Sequence, residues 1–204
     1  MRSFVGGSVN LLVGLGNPGI RYQLSRHNAG FLVLDQLALQ YDISLSQTLF
    51  DAHIGKGKIA GSPVLLAKPQ TYMNLSGVAV RRLADYFRID LGALIVIHDD
   101  LDLPFQTIRL KAGGGNGGHK GLISLTDHLG GTDFIRVRFG IGKPERKSMV
   151  EGYVLSPFSD EEMAFLPQLV RTAGETVADI LSSGIQKAME KHHRKDVTNL
   201  IEEV

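Results

Sequence analysis

The sequence predicts an α/β fold around a largely buried, mixed and mostly parallel sheet. Strand-like apolar runs alternate with segments of helical periodicity, which is the pattern of helices packed on a sheet. The run Ala93–Ile97 is wholly apolar, as expected for a strand buried on both faces. The segments Ala52–Ala60 and Pro63–Ala67 flank Gly61-Ser62 and predict a hairpin, which makes the sheet mixed.

The other elements follow in order with short connections. Asn10–Leu15 is a predicted strand that ends in the turn Gly16-Asn17-Pro18-Gly19, and helical spacing then runs over Asn28–Tyr41. A second helix covers Leu75–Phe87, with Asn74 or Ser76 available as its cap. The last predicted elements are strands at Thr107–Leu110 and Phe134–Ile141, a helix between them from about Gly121 to Leu129, and a long C-terminal helix opened by the capping box Ser159-Asp160-Glu161-Glu162.

Length and composition favour one domain over residues 1–204, because 204 residues with 43% hydrophobic content can bury a substantial core. We expect residues 1–9 to be a loosely held extension and residues 159–204 to be a helical segment. The chain has no cysteine, which excludes disulfides, thiolate metal sites and cysteine nucleophiles. No apolar run approaches the roughly 20 residues of a membrane span, so no membrane association is expected.

The distribution of charge is uneven although the net charge is only +1. Residues 103–150 carry 8 basic and 3 acidic side chains, whereas residues 151–204 carry 5 basic and 10 acidic ones. A basic surplus in one segment is what a partner with phosphates requires. Ordinary solvated lysines and arginines explain the same distribution equally well, so charge alone leaves both interpretations open.

The first turn raises a dinucleotide-binding alternative. Gly14-Leu15-Gly16-Asn17-Pro18-Gly19 matches the spacing G-x-G-x-x-G after a strand. In a dinucleotide site, however, the third glycine lies in the helix that receives the pyrophosphate, and here helical periodicity begins only near Asn28. The nearest downstream acid, Asp35, lies inside that helix rather than at the end of a second strand. The context of the motif therefore argues against a nucleotide-dependent enzyme, although its spacing matches.

Two segments could supply an acid–base pair. His27 precedes a helix in Arg26-His27-Asn28-Ala29-Gly30, and Asp99 follows the buried strand in His98-Asp99-Asp100-Leu101-Asp102, where ligands of α/β sheets commonly bind. Because strand side chains alternate, we expect that His98 and Asp99 cannot both face one site while the strand continues. No metal-binding spacing accompanies the aspartates, so an aspartate that orients a distant histidine is preferred over a metal site. Without a G-x-S-x-G elbow or cysteine, an ester hydrolase of this kind would activate water.

Two further segments are candidate ligand contacts. The glycine-rich run from Lys111 to Gly121 is costly to order, and its backbone could approach a polyanion closely, with Lys111 and Lys120 at its ends. A flexible connection between strands is the alternative. The segment Thr71–Gly77 lies at a strand-to-helix junction, where a helix cap and an aromatic packing contact would explain its residues without a ligand.

The order of these motifs carries a resemblance that no single motif carries. The matching segments are Val13-Gly14-Leu15-Gly16-Asn17-Pro18-Gly19, Tyr22, Arg26-His27-Asn28-Ala29-Gly30, Lys68-Pro69, Tyr72-Met73-Asn74-Leu75-Ser76-Gly77, His98-Asp99-Asp100-Leu101-Asp102-Leu103-Pro104, the glycine-rich run, Gly140-Ile141-Gly142-Lys143-Pro144 and Tyr153-Val154-Leu155. In this order they resemble the bacterial-type peptidyl-tRNA hydrolase family, from about Asn10 to Ala188. The resemblance implies a three-layer α/β/α domain that hydrolyses the ester between a peptide and the 3′-terminal ribose of tRNA.

The resemblance also implies a role for each matching residue. His27 would be the general base that deprotonates the attacking water, and Asp99 would hold it in its basic tautomer. Asn17 would distinguish N-blocked peptidyl ends from free aminoacyl ends, and Asn74 would donate an amide to the ester region and its developing oxyanion. The implied contacts to tRNA and substrate are Tyr22, Tyr72, Asn74, Lys111, Asn116, His119, Lys120 and Arg138, with Lys111 and Arg138 on the 5′ phosphate.

The family pattern further implies a cytoplasmic monomer that binds the acceptor stem and 3′ end of peptidyl-tRNA and needs no cofactor, metal or obligate protein partner. One position departs from the pattern. Some members carry asparagine directly after the loop histidine, whereas this chain has Lys120, which can only donate and adds a charge. A non-catalytic RNA-binding relative of the same fold remains the alternative function.

Overall fold

Seven strands form one mixed sheet in the order β2-β3-β4-β1-β5-β7-β6 in the computed structural model, which describes residues 9–192. The strands are β1 (Asn10–Gly14), β2 (Gln47–Leu49), β3 (Ala52–Ile59), β4 (Ser62–Pro69), β5 (Leu94–Asp100), β6 (Ile108–Ala112) and β7 (Ile135–Gly140). The pairs β4–β1, β1–β5 and β5–β7 are parallel, and the flanking pairs are antiparallel. The predicted hairpin and mixed sheet are confirmed, and the parallel strands form its centre.

Helices cover both faces of this sheet and give the expected three layers. They are α1 (Ala29–Gln40), α2 (Ser76–Phe87), α3 (Lys120–Leu129), α4 (Val150–Leu155), α5 (Asp160–Ser183) and α6 (Ile185–His192). Leu12, Ile95 and Ile97 pack with α1 and α5 in one apolar core. Leu11, Val13 and Val96 face the other way and pack with α2 and α3 in a second core. The period-2 alternation of β1 and β5 thus divides the molecule into layers.

Several predicted boundaries hold within one or two residues, whereas some local details differ. The capping box is present, because the Ser159 hydroxyl accepts from Glu162 N and the Glu162 carboxylate accepts from Ser159 N. The cap predicted for α2 is wrong: a 3₁₀ turn over Met73–Leu75 leads into the helix, and Leu75 occupies the cap position without a side-chain hydrogen bond. The elements β2 and α4 were not predicted, and Gly184 divides the long C-terminal helix into α5 and α6.

The residues predicted to act in catalysis, Asn17, His27, Asn74 and Asp99, lie at one edge of the sheet, whereas Lys111 and Arg138 lie on β6 and β7. Parallel strands β1, β4, β5 and β7 bring their carboxyl ends together at that edge, and the ends of β1, β4 and β5 carry three of the motifs singled out in the sequence. Most of the predicted N-terminal extension and the end of the C-terminal segment lie outside residues 9–192. Between residues 9 and 192, no helix is both long and apolar enough to cross a membrane.

Candidate active site

A cavity of about 1040 Å³ lies over the carboxyl ends of the central strands. Every residue predicted to act in catalysis or binding lines it: Asn17, Tyr22, His27, Tyr72, Asn74, Asp99, Lys111, Asn116, His119, Lys120 and Arg138. These residues come from segments up to 121 positions apart in the chain, and the sheet topology brings them together. The cavity is therefore the candidate active site.

At its floor, His27 and Asp99 form a buried pair. His27 Nδ1 lies 2.8 and 2.9 Å from the two carboxylate oxygens of Asp99. A carboxylate can only accept, so the proton lies on Nδ1, and the lone pair of His27 is on Nε2. Asp99 therefore fixes the tautomer in which the other ring nitrogen can accept a proton.

A second histidine shares the same carboxylate. His119 Nε2 lies 2.9 Å from Asp99 Oδ1, and its Nδ1 accepts from the backbone N–H groups of Gly121 and Leu122 at 3.1 and 3.3 Å. His119 is thus the N-cap of α3 as well as a donor to Asp99. Both ring nitrogens are engaged within the protein, which sequence reasoning did not anticipate.

The charge on Asp99 is strongly favoured by these two neighbours. Burial by itself would raise the pKa of the Asp99 carboxyl, but the adjacent rings of His27 and His119 and their hydrogen bonds hold it well below its usual range. The carboxylate therefore stays ionised near neutral pH. A permanent negative charge beside His27 stabilises the imidazolium that forms when His27 takes up a proton.

One nitrogen from each histidine and an oxygen of Asp99 lie within 4.8 Å of one another, close enough to consider a metal ion. The hydrogen bonds argue for protons between these atoms instead. His119 Nδ1 accepts two backbone N–H groups, so the ring proton must be on Nε2, where it is donated to Asp99. A nitrogen that carries a proton has no lone pair for a metal.

His98 lies beside this group and is fully buried. Its Nδ1 lies 2.7 Å from the carbonyl oxygen of Asp99, and its ring meets the His119 ring edge-to-face at 5.1 Å. Burial, and next the electrostatic effect of the neighbouring His119 ring, lower the pKa of His98 to about 3, so its ring is neutral. The expectation that His98 and Asp99 could not share a site is wrong: β5 continues through both, but the cavity lies over the strand end and takes in residues from both faces.

Close packing between β1 and α1 determines where His27 stands. A Cβ at Gly14 would lie 2.3 Å from the Gly30 carbonyl oxygen, and one at Gly30 would lie 2.4 Å from Leu15 N. Only glycine permits this backbone approach. Gly14 therefore serves the packing of α1 on β1, and α1 begins only at Ala29, ten residues after Gly19. This arrangement does not match a helix that receives a pyrophosphate directly after the turn.

The side-chain amide of Asn17 uses its oxygen for a hydrogen bond within the protein. Its Oδ1 accepts from Met73 N at 2.8 Å, which ties the first turn to the segment after β4. Asn28 secures the Asn17 backbone, since its Oδ1 accepts from Asn17 N at 2.8 Å and its Nδ2 donates to Asn17 O at 3.0 Å. The Nδ2 group of Asn17 is consequently the donor that Asn17 can offer to a ligand.

Hydrogen bonds from a buried arginine hold the backbone of the glycine-rich loop. Arg136, on β7, donates from Nη1 to Gly115 O at 2.6 Å and from Nη2 to Gly114 O at 2.5 Å. Within the loop, Asn116 Oδ1 accepts from the Thr126 hydroxyl at 2.9 Å. Four loop glycines have positive φ: Gly113, Gly114, Gly117 and Gly118. The glycines allow the path of this loop, and Arg136 holds it in place.

The cationic side chains at the rim differ in their partners. Arg138 Nε donates to Asp100 Oδ2 at 2.6 Å, and exposed Lys120 Nζ lies 3.0 Å from Glu151 Oε1 on α4. The Lys111 side chain is exposed and runs over Gly114, where a Cβ would meet its Cε at 2.4 Å. Tyr72 and Asn74 are exposed on the wall formed after β4. Tyr22 is half-buried, and its hydroxyl accepts from the Arg21 guanidinium.

Fold and site together define a class of protein: an α/β protein with a buried histidine–aspartate pair at the carboxyl edge of its sheet. The family model of the peptidyl-tRNA hydrolases matches residues 11–200. The peptidyl-tRNA hydrolase of Geotalea daltonii is 46% identical over 93% of this chain and 99% of its own length, and that of Bacillus pumilus is 45% identical over 90% and 97%. A crystal structure of peptidyl-tRNA hydrolase from Acinetobacter baumannii superimposes with a TM-score of 0.87, at 39% identity over 92% of this chain and 96% of that one. The chain belongs to the peptidyl-tRNA hydrolase family.

Proposed function

We propose that this protein hydrolyses the ester between a peptide and the 3′-terminal ribose of tRNA, with His27 as the general base. The observation that carries the proposal is the His27–Asp99 pair, which leaves the other nitrogen of the imidazole basic in a cavity that Lys111, Lys120 and Arg138 also line. Family membership supports a catalytic protein over a non-catalytic RNA-binding relative. Hydrolysis by this route recycles tRNA from peptidyl-tRNA released prematurely by ribosomes.

The proposed reaction follows from the protonation of His27, which carries its proton on Nδ1 and its lone pair on Nε2. His27 Nε2 removes a proton from a water molecule as the water oxygen attacks the ester carbonyl carbon. The imidazolium that results is stabilised by the Asp99 carboxylate. Asn74 donates its amide to the oxyanion of the tetrahedral intermediate. When the carbonyl re-forms, the ester bond to ribose breaks, and the imidazolium returns the proton to the departing 3′ oxygen.

We assign the remaining rim residues to substrate binding. Lys111 and Arg138 contact the 5′ phosphate at the end of the acceptor stem, and Lys120 and Asn116 contact the 3′ end. Tyr22 and Tyr72 line the part of the cavity that receives the peptide and terminal nucleotides. Asn17 Nδ2 donates to the first peptide carbonyl. Since both ring nitrogens of His119 are engaged within the protein, His119 acts on the substrate mainly through Asp99.

The proposal extends to the state of the protein in the cell. Residues 9–192 enclose their cores around one sheet, so we propose a single domain that acts as a monomer. Its substrate arises on ribosomes, and a cytoplasmic location follows from that. The reaction consumes only water, so the proposed mechanism calls for no cofactor.

The test is to compare release from N-acetylaminoacyl-tRNA and from unblocked aminoacyl-tRNA by wild type and by His27→Ala. We expect wild type to release the N-blocked amino acid preferentially. General-base assistance is worth about 10²–10⁴-fold, so His27→Ala should lose that factor while it still binds tRNA. Binding of tRNA by the wild type without release would establish the RNA-binding alternative. Wild-type rates in His27→Ala would refute the mechanism.

A further inference from the structure

The 3₁₀ turn that carries His27 sends three consecutive side chains in three directions. Such a turn has about three residues per turn, so successive side chains point roughly 120° apart. His27 reaches Asp99, and Asn28 binds the backbone of Asn17. Arg26 points toward the junction between α4 and α5. The candidate base therefore lies between two anchored neighbours.

Arg26 makes three polar contacts at that junction through its two Nη groups, while its Nε is buried without a hydrogen-bond partner. Its Nη1 donates to Ser156 Oγ and to Pro157 O, each at 2.7 Å, and its Nη2 donates to Glu162 Oε2 at 2.6 Å. The guanidinium carbon lies 4.3 Å from the ring centre of Tyr153. The Arg26 side chain is only 9% exposed, so its charge is largely removed from water and is compensated by the Glu162 carboxylate.

The backbone reinforces the same connection. Arg26 N donates to Ser156 O at 3.1 Å, and Phe158 N donates to Leu24 O at 3.3 Å. Glu162 Oε2 also accepts from Ser159 N at 2.8 Å, as part of the capping box. One carboxylate thus closes the first turn of α5 and binds the residue next to His27.

This connection matters because α4 forms one wall of the cavity. Val150, Glu151, Val154 and Leu155 line the cavity from α4, and Arg26 grips the chain directly after this helix. Asp99 controls the tautomer and the direction of the His27 ring. The contacts of Arg26 connect the backbone of His27 to the chain that directly follows α4.

We infer that Arg26 is a positioning residue for the reaction, and that its buried ion pair with Glu162 holds the His27 imidazole in place against the α4 wall of the cavity. The inference rests on the proposed function, in which His27 is the general base. Arg26 touches no reacting atom and acts through His27. Displacement of a catalytic group by about 1 Å can lower a rate by about 10²-fold, so loss of this link reduces kcat more than substrate binding.

The test uses the full chain and measures kcat and KM separately on N-acetylaminoacyl-tRNA for Arg26→Gln and Glu162→Gln. We expect each to lower kcat by about 10- to 100-fold and to change KM by no more than about 2-fold. Glu161→Gln is the matched control, because it removes an exposed acid from the same first turn of α5 and leaves the Arg26 contact intact. The control should keep the wild-type kcat.

A double mutant separates positioning from general structural damage. In the His27→Ala background, Arg26→Gln should change the residual kcat by less than about 2-fold, because a residue that acts through His27 has nothing left to position. If the full loss persisted in that background, or if Arg26→Gln and Glu162→Gln both kept the wild-type kcat, the inference would be overturned. Should Arg26→Gln fail to fold, Glu162→Gln, which preserves the contacts to Ser156 and Pro157, supports the same comparison.

These outcomes are distinct from a failure of the proposed function. A wild type that releases nothing from N-acetylaminoacyl-tRNA would refute the activity itself. A wild type that turns over while His27→Ala matches it would refute the base and, with it, the role of Arg26. An active wild type, an impaired His27→Ala and an unimpaired Arg26→Gln would refute the positioning role alone.

Discussion

His119 Nε2 lies 2.9 Å from the same oxygen of Asp99 that faces His27 Nδ1 at 2.8 Å. Because His119 Nδ1 also caps α3, one ring joins the start of a helix to the carboxylate that orients the base. Substitutions of His119 can separate its role as N-cap of α3 from its hydrogen bond to Asp99. His119→Asn keeps a side-chain acceptor suited to an N-cap, whereas His119→Ala removes both the cap and the donor to Asp99.

We predict that His119→Ala loses about 1 kcal/mol of unfolding free energy, and that His119→Asn loses much less. Both should lower kcat on N-blocked aminoacyl-tRNA by about tenfold, which corresponds to about 1.4 kcal/mol of transition-state stabilisation. Urea unfolding and steady-state kinetics provide the two measurements. A wild-type kcat in both variants would show that the bond to Asp99 contributes nothing to the reaction.

The buried His98 predicts a specific dependence of stability on pH. Its pKa is about 3 in the folded protein against an ordinary 6.5, so between these values the unfolded chain binds a proton that the folded protein does not. The contribution of neutral His98 to the unfolding free energy is therefore fully present above pH 6.5. It is lost as the pH falls below 6.5, by up to about 1.4 kcal/mol per pH unit. His98→Phe should flatten this slope between pH 6.5 and 5 in urea unfolding. His53→Gln, which removes an exposed imidazole, is the control and should keep the wild-type slope. Identical slopes in wild type and His98→Phe would show that His98 does not cause the pH dependence.

The sequence predicted the elements that follow from local periodicity and the residues that end the central strands. All eleven candidate residues line one cavity. Asn17, Asn74 and Asp99 meet there because the carboxyl ends of adjacent parallel strands share one edge, whereas Lys111 and Arg138 reach it from the antiparallel pair β6–β7. The anchors were not predictable in this way. Arg26 finds Glu162 across 136 positions, and Arg136 finds two backbone carbonyls across a loop, so no spacing in the sequence connects them. Strand β2 has three residues and α4 has six, too few for either to show a periodic pattern.

The hydrogen bond from Met73 N to Asn17 Oδ1 allows a test of how the protein selects N-blocked over free aminoacyl-tRNA. Asn17→Asp keeps an oxygen for Met73 N and replaces the free amide donor with an anionic oxygen, whereas Asn17→Ala loses both. Loss of a donor to the peptide carbonyl is worth about 1–3 kcal/mol, so the ratio of kcat/KM for N-blocked over free aminoacyl-tRNA should fall about 5- to 150-fold in both variants. Asn17→Asp should also raise kcat/KM for the free substrate, because a carboxylate attracts its α-ammonium group. An unchanged ratio in both variants would move the discrimination to another residue.

The pair formed by Lys120 and Glu151 predicts an effect on substrate binding rather than on stability. Both side chains are exposed, so their contact at 3.0 Å should contribute at most about 1 kcal/mol to folding. Glu151→Gln releases the Lys120 ammonium for RNA and should lower KM for N-acetylaminoacyl-tRNA several-fold at low salt, with the gain fading at high salt. Lys120→Ala should raise KM and abolish the gain from Glu151→Gln.

Asp85→Asn is the control for this charge effect. It removes the acid of another exposed pair, with Arg81 on α2, and Asp85 does not line the cavity. If Asp85→Asn lowered KM as much as Glu151→Gln did, the effect would come from net charge and not from the release of Lys120.

The last prediction concerns the two cations proposed for the 5′ phosphate. Lys111 is exposed at the rim, whereas Arg138 is paired with Asp100 at 2.6 Å, next to Asp99 in the chain. Lys111→Ala should raise KM for full-length tRNA and reduce the slope of binding against salt by about one unit. Arg138→Ala should raise KM further, because the uncovered Asp100 carboxylate then repels the phosphate. Adding Asp100→Asn should therefore restore part of the affinity. On an N-acetylaminoacyl ester of a short 3′-terminal oligonucleotide, which lacks the 5′ phosphate of tRNA, Lys111→Ala should behave nearly as wild type does. If Lys111→Ala and Arg138→Ala instead lowered kcat equally on short and full-length substrates, the two residues would belong to the catalytic centre and not to a phosphate clamp.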